Sequence, residues 1–313
     1  MYLPSDKLEE LLQCPVTGTE LRQRNGQYVG SDESMHTFYP IVNQIPYLVD
    51  FANSVIEEPQ SKEGATVGGS PIVRIKKSGL RQLGSKVVST DSSVTEYNVE
   101  RMLKLLRPLA RVLVIGGGTI GKGMDKLYES NDLEIVSFDI YSTADVQFVA
   151  DAHNIPLKSG SFDAVIIQAV LEHVLVPGRV VEEIWRVLKS DGIVYAETPF
   201  IQQVHEGAYD FTRFTESGHR NLFRYFSRID SGVMSGPAMA LLWSIDYFVS
   251  GVCRSRCAGK VAKLLFFWLK YFDNLIPPSF KTDGASGVYF LGERQNEAVS
   301  ISEIISSYQG QQK

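Results

Sequence analysis

"ARVLVIGGGTIGKG", Ala110 to Gly123, starts as an apolar, β-branched run and breaks into glycine. A buried parallel strand turning into the N-terminus of a helix has this pattern. Gly116, Gly118 and Gly121 keep the spacing G-x-G-x-x-G. That spacing serves a nicotinamide dinucleotide and, in a looser form, a methyl donor. A bare strand-to-helix turn carries it as well. The loop alone leaves all three open.

Outward from the loop, the rhythm is strand and helix in alternation. "VTEYNVERMLKLL" has one apolar face and is expected as a helix. "RVLVIG", "EIVSFDI", "VQFVAD", "FDAVIIQAV" and "GIVYAET" are apolar without alternation, as strands covered on both faces are. "GRVVEEIWRVLKSDG" is expected as a helix closed by Lys189 and stopped at Gly192. "ESGHRNLFRYF" follows as a helix, "SRIDSGVMSG" as the sixth strand and "GVYFLGER" as the seventh. The fold class expected is α/β: a doubly wound, mainly parallel seven-stranded sheet, with a small α+β unit at the N-terminus. A helical insertion, about 237–284, precedes the last strand. The domains expected are 1–56, a linker at 57–91, and 92–313.

Ligands of such sheets sit beyond the carboxyl ends of the strands. Asp139 ends the second strand, about twenty residues past the loop, where an acid accepts hydrogen bonds from a ribose. "VADAHNIPLKSGSFDAVIIQAVLEHV" and "VVEEIWRVLKSDGIVYAETP" together resemble the class I S-adenosylmethionine (SAM)-dependent methyltransferases, type 11-like, over much of 111–199. The resemblance implies SAM as cofactor. Gly116, Gly117 and Gly118 would lie against its methionine part, Asp139 at the ribose, and Asp151 and Ala152 at the adenine, with Gln168 also in the cofactor site. His153 is expected as a surface residue of the adenine loop. A dehydrogenase has no need of the "ADA…IPL…SFD" series. In one departure, Val114 stands where the family carries an acid that helps hold the methionyl ammonium.

"LLQCPVTGTEL" with "YPIVNQIPYLV" resembles the Trm112-like small domain. Zinc-binding members begin with C-P-x-C, but Thr17 stands at the second cysteine. Cys14 and His36 alone fall short of four ligands, so no metal is expected. The unit is read as covering or stabilising the larger domain, or as helping to bind the acceptor.

SAM arrives activated, so the protein has mainly to align an acceptor, and a hydroxyl acceptor gains from a base. His173, after the fourth strand, is a candidate catalytic group or a packed histidine. "VHEGAYDFTRF" resembles a run found in methyltransferases associated with glycan or lipopolysaccharide clusters. From it His205 and Asp210 are catalytic candidates, and Tyr209 and Arg213 acceptor-binding candidates. Arg213 would either brace Asp210 or grip an anionic acceptor. The acceptor expected is a hydroxyl of a glycan, glycolipid or small metabolite. An NAD(P)-linked oxidoreductase and a non-catalytic scaffold are the competing readings.

The bulk numbers agree with a globular protein. Of 313 residues, 44% are hydrophobic and 21% charged, and the net charge of -5 disfavours nucleic acid. Three cysteines make no disulfide framework, and neither a secretory signal nor a membrane span is evident, so a cytoplasmic protein is expected. The apolar insertion is read as a cap over the acceptor pocket, a homodimer contact or a peripheral membrane contact.

Overall fold

The computed structural model describes residues 1–32, 37–59 and 92–312. His36 and most of the expected linker lie outside the described residues. Helix α1 (Ser5–Glu9) leads into strands β1 (Leu21–Arg24), β2 (Gln27–Gly30), β3 (Phe38–Val42) and β4 (Ile45–Pro46), an antiparallel sheet in that order. Then follow α2 (Ser93–Leu105), β5 (Ala110–Ile115), α3 (Asp125–Glu129), β6 (Leu133–Asp139), β7 (Phe148–Val149) and β8 (Phe162–Gln168). The chain continues through α4 (Pro177–Val187), β9 (Leu188–Pro199), α5 (Glu216–Leu222) and β10 (Phe226–Ser235). The insertion is helical: α6 (Pro237–Val252), α7 (Arg256–Leu265), a 3-10 stretch and α8 (Pro278–Asp283). Strand β11 (Gly287–Arg294) and α9 (Ile301–Ser306) close the chain.

The large sheet has seven strands in the order β10-β11-β9-β8-β5-β6-β7. Strand β11 runs antiparallel to both neighbours, and the pairings from β9 to β7 are parallel. The "RVLVI" run is central because five of the six residues of β5 are buried and it pairs on both edges. The chain moves outward from β5 to β7, then returns to β8 on the other side. That reversal opens a crevice at the carboxyl ends of β5 and β8.

The expected helix to Gly192 ends five residues early, at Val187. Leu188 pairs instead with Phe162 of β8, and Lys189 reaches Asp163 at 2.7 Å, so sheet pairing takes over the helix's last turn. Strand β7 keeps only two residues of "VQFVAD".

The N-terminal unit shares the large sheet's core. Leu3, Leu8, Leu12, Tyr39 and Leu48 pack in one buried cluster with Phe148 and Leu157. Tyr2 bridges to Ile135 and Tyr47 to Val149, so two pieces of this unit prolong the outer edge of the large sheet.

His219 of α5 is buried against Phe214 and Phe223, at ring separations of 6.0 and 5.1 Å. Among the described residues, neither ring nitrogen has a hydrogen-bond partner. Burial pushes its pKa down to about 3. Below pH about 6.5 the unfolded chain takes up a proton that the folded one refuses, so stability is lost as pH falls from there towards 3. The loss at pH 4.5 is roughly 2–3 kcal/mol. His219→Phe should abolish that dependence. Thermal melts at pH 7.5 and pH 5 should show the variant gaining on the wild type at the lower pH. An equal offset at both would contradict this.

Candidate functional site

The crevice is a cavity of about 460 Å³. Gly116 turns the chain at its floor with φ +78°, and a Cβ there would overlap Val170. The next turn needs a bare Cα too, since a Cβ on Gly121 would run into Gln168. Asp139 is buried and holds the loop in place: its Oδ2 accepts from the Gly118 N–H at 2.8 Å. The loop's backbone and a carboxylate thus face one space.

Asp151, also buried, lines the same cavity. It accepts from Ser54 Oγ at 2.6 Å, from the His153 N–H at 2.9 Å and from His153 Nδ1 at 2.6 Å. Burial opposes its ionisation, but the bonds from His153 and Ser54 outweigh it and hold Asp151 below the usual carboxylate range. His153 is more than the surface residue expected: its Nε2 accepts from the Val176 N–H at 3.1 Å, which ties two loops together. Ser54 and the pocket-lining Val55 come from the N-terminal unit, which therefore walls this end of the cavity.

Beside the glycine loop, Gln168 donates to Glu197 at 2.8 Å and to the Lys122 carbonyl at 3.3 Å. Glu197 also accepts from Thr95 Oγ1 at 2.7 Å and Tyr195 OH at 2.5 Å. Burial raises its pKa even so. Sequence reasoning missed Glu197, which lies two residues before Pro199 in a run that reads only as strand. Ala169 has φ +53°, a left-handed conformation uncommon outside glycine. It turns the chain from β8 into the "LEHV" segment.

That segment and the 205–213 loop meet. His173 Nδ1 donates to the Tyr209 carbonyl at 2.7 Å, and its Nε2 lies 3.0 Å from His205 Nε2. Burial pushes the His173 pKa down. Asp210 Oδ2 accepts from the His205 N–H at 2.9 Å and lies 3.3 Å from its Nδ1. Burial of Asp210 is outweighed by Arg213, which holds its pKa at about 2. Of the two roles expected for Arg213, the geometry provides the brace. Its guanidinium bonds both oxygens of Asp210 and the carbonyls of Gln202, Gln203 and Thr212. Five N–H groups are thereby spent within the loop. Tyr209 offers its carbonyl to His173, an interaction its side chain did not foretell. Beneath the pair lies Glu172, 1% exposed, its pKa pushed up to about 8 by burial. Its neighbour in sequence, His173, drew attention as the titratable group, and Glu172 did not.

Residues 124–196 match the model of a family described as Methyltransferase domain. The chain carries a SAM-dependent methyltransferase domain. The match takes in Asp139, Asp151, Gln168 and His173 and begins just after the glycine loop. No curated protein matches the sequence significantly. Among solved structures, a SAM-dependent methyltransferase from Archaeoglobus fulgidus is similar at 12% identity and TM-score 0.42, over 69% of this chain and 100% of that one. Haemonchus contortus phospholethanolamine N-methyltransferase 2, in complex with phosphomonomethylethanolamine and S-adenosylhomocysteine, is similar at 15% identity and TM-score 0.43, over 68% and 57%. The [4+2]-cyclase SpnF is similar at 16% identity and TM-score 0.42, over 67% and 84%. Their names differ in reaction, and likeness at this level assigns none of those reactions to this methyltransferase.

Proposed function

We propose that this methyltransferase methylates a hydroxyl of a glycan, glycolipid or small metabolite, with the His173–His205 pair on the acceptor side of the pocket. One observation carries the reading: both histidines and the buried Glu172 line the cavity that the glycine loop, Asp139 and Asp151 also line. SAM supplies a methyl group already activated by its sulfonium. The chain's own task is alignment and proton handling. Asp139 takes the ribose hydroxyls, Asp151 and Ala152 the adenine edge, and the glycine backbone the methionine part. His205, oriented by Asp210, receives or directs the hydroxyl proton.

Glu197 is the acid that replaces the one missing at Val114. It lines the cavity, and Gln168 orients it rather than facing the cofactor alone. Glu197→Gln should weaken S-adenosylhomocysteine binding about tenfold or more, the scale of one charge-assisted hydrogen bond. Unchanged affinity by calorimetry would remove Glu197 from the site.

Residues 1–56 are read as a Trm112-like unit joined by 57–91 to a methyltransferase domain at 92–313. The likeness of "LLQCPVTGTEL" supports this, and Ser54 gives the unit a part in the adenosine end. Within it the Cys14 sulfur lies 3.0 Å from Tyr39 OH, and Thr17 bonds Thr19 instead. The insertion is read as a cap: Ser244 accepts from Gln203, Tyr247 OH donates to the Val204 carbonyl, and Trp243 lines the cavity. Its outer face keeps Phe248 at 72% and Leu275 at 76% exposed, which favours a homodimer or membrane-surface contact as a second use. Among the described residues, no helix is long and apolar enough to cross a membrane. Three free cysteines support a reducing, cytoplasmic setting.

Thermal shift tests the cofactor half: SAM and S-adenosylhomocysteine should raise Tm, and NAD(H) should not. Methyl-labelled SAM offered with panels of sugars, glycolipids and phenolic or alcoholic metabolites tests the acceptor half. Label that resists base hydrolysis, as an ether does, is the expected product. Labelled amines alone would overturn the hydroxyl assignment.

A further inference from the structure

Glu172, His173 and His205 each offer one ligand atom, and these atoms all lie within 4.8 Å of one another. The two Nε2 atoms are 3.0 Å apart. Glu172 Oε1 is 3.7 Å from His173 Nε2 and 3.9 Å from His205 Nε2. Two atoms each about 2.1 Å from one ion stand roughly 3.0 Å apart at a right angle and about 3.4 Å apart in a tetrahedron. The trio needs only a small closure to share an ion.

Hydrogen accounting points to the same place. The Tyr209 carbonyl can only accept, so His173 carries its hydrogen on Nδ1 and has a lone pair on Nε2. The Asp210 carboxylate, 3.3 Å from His205 Nδ1, favours the tautomer with its hydrogen there, which has a second lone pair on His205 Nε2. In that tautomer two lone pairs face each other at 3.0 Å and a cation between them would be held by both, whereas the Nε2–H tautomer of His205 donates to His173. A backbone carbonyl and a carboxylate behind the imidazoles are also the partners that orient metal-bound histidines. Independently, Glu172 is buried, and among the described residues neither of its carboxylate oxygens has a hydrogen-bond partner. A buried carboxyl group without a partner is costly, and a cation that displaces its proton would give the carboxylate a partner.

We propose that Glu172, His173 and His205 form a site for a divalent transition-metal ion, with its remaining coordination positions open to the acceptor side of the cavity. Two imidazoles and one carboxylate suit zinc, iron(II) or manganese better than magnesium or calcium, which prefer oxygen throughout. The ion's task rests on the acceptor reading above; its binding does not. At that position it takes the acceptor hydroxyl and lowers its pKa; His205 then directs the hydroxyl as a ligand of the ion, and the proton leaves to water. The oxygen–carbon bond then forms as the sulfur–carbon bond breaks. The hydroxyl class most favoured is a vicinal diol or catechol, which chelates two open positions.

The probe is manganese(II), which avoids competition from thiols such as Cys14. Chelator-treated full-length protein should bind one equivalent in calorimetry. Its spin-echo spectrum should show coupling to imidazole nitrogen. Glu172→Gln and His205→Ala should each weaken binding at least tenfold, and Asp210→Asn about tenfold through the outer partner. S-adenosylhomocysteine affinity is measured on the same samples, so failure of the cofactor reading is seen separately. No saturable binding to the wild type, an echo spectrum without nitrogen coupling, or equal affinity in Glu172→Gln would each overturn the site. In those cases a shared proton alone joins the two histidines. The wild-type spectrum decides even if a variant fails to fold.

Discussion

Methyl transfer by His205→Ala should fall about a hundredfold or more, while S-adenosylhomocysteine affinity stays within about twofold of the wild type. The reason is separation within one cavity. His205 touches His173 and Asp210, whereas Asp139, at the end of β6, holds Gly118, and Asp151, just after β7, holds Ser54. Removing the imidazole deletes a group on the proposed acceptor side and leaves the glycine loop and both carboxylates bonded as before. Asp210→Asn separates two roles. Asparagine can still accept from the His205 N–H and from Arg213, but it offers less pull on His205 Nδ1. Transfer should fall by less than in His205→Ala, with a lower Tm, because Arg213 loses its counter-charge. If the loop were only a brace, both variants would lose Tm and keep turnover per folded molecule.

Asp139→Ala should cost about 1.5–3 kcal/mol of cofactor binding, roughly tenfold to a hundredfold in affinity. Two losses combine here. The ribose hydroxyls lose a charged acceptor, and the Gly118 N–H loses its partner at 2.8 Å. Asp139→Asn keeps an acceptor for Gly118 and isolates the first loss, so its affinity should lie between wild type and alanine. Calorimetry giving wild-type affinity for both variants would remove Asp139 from the cofactor site.

The glycine turn, Asp139 and Asp151, which line one cavity, were legible in the sequence because their signals are local. A buried run breaking into glycine, an acid at the end of the next strand and the "ADA" turn each depend on a few adjacent residues. The acceptor side depends on distant ones. His173 and His205 are 32 residues apart, and their contact follows only from the packing of two loops. Glu172 stood in the quoted "LEHV", yet nothing local marks a glutamate as buried and unpartnered. Glu197 is hidden for a similar reason: a polar residue inside a strand tells its face only once the register Gln168↔Glu197 is known. The helix expected to Gly192 failed where pairing with β8 outweighed helical propensity at Leu188. The N-terminal unit was expected to cover the larger domain or help bind the acceptor, but which residues its leucines meet was not legible, since periodicity marks a residue as buried without saying against what.

That last point governs how this chain can be divided. Expressed from Ser92 onward, the larger part would expose Phe148 and Leu157, and Asp151 would lose Ser54. Expressed alone, residues 1–59 would offer four short strands and leucines shaped to another surface. Two fragments mixed together should therefore recover what neither holds, with cofactor affinity returning as they associate. A reporter split at the same boundary would read assembly and ligand binding at once.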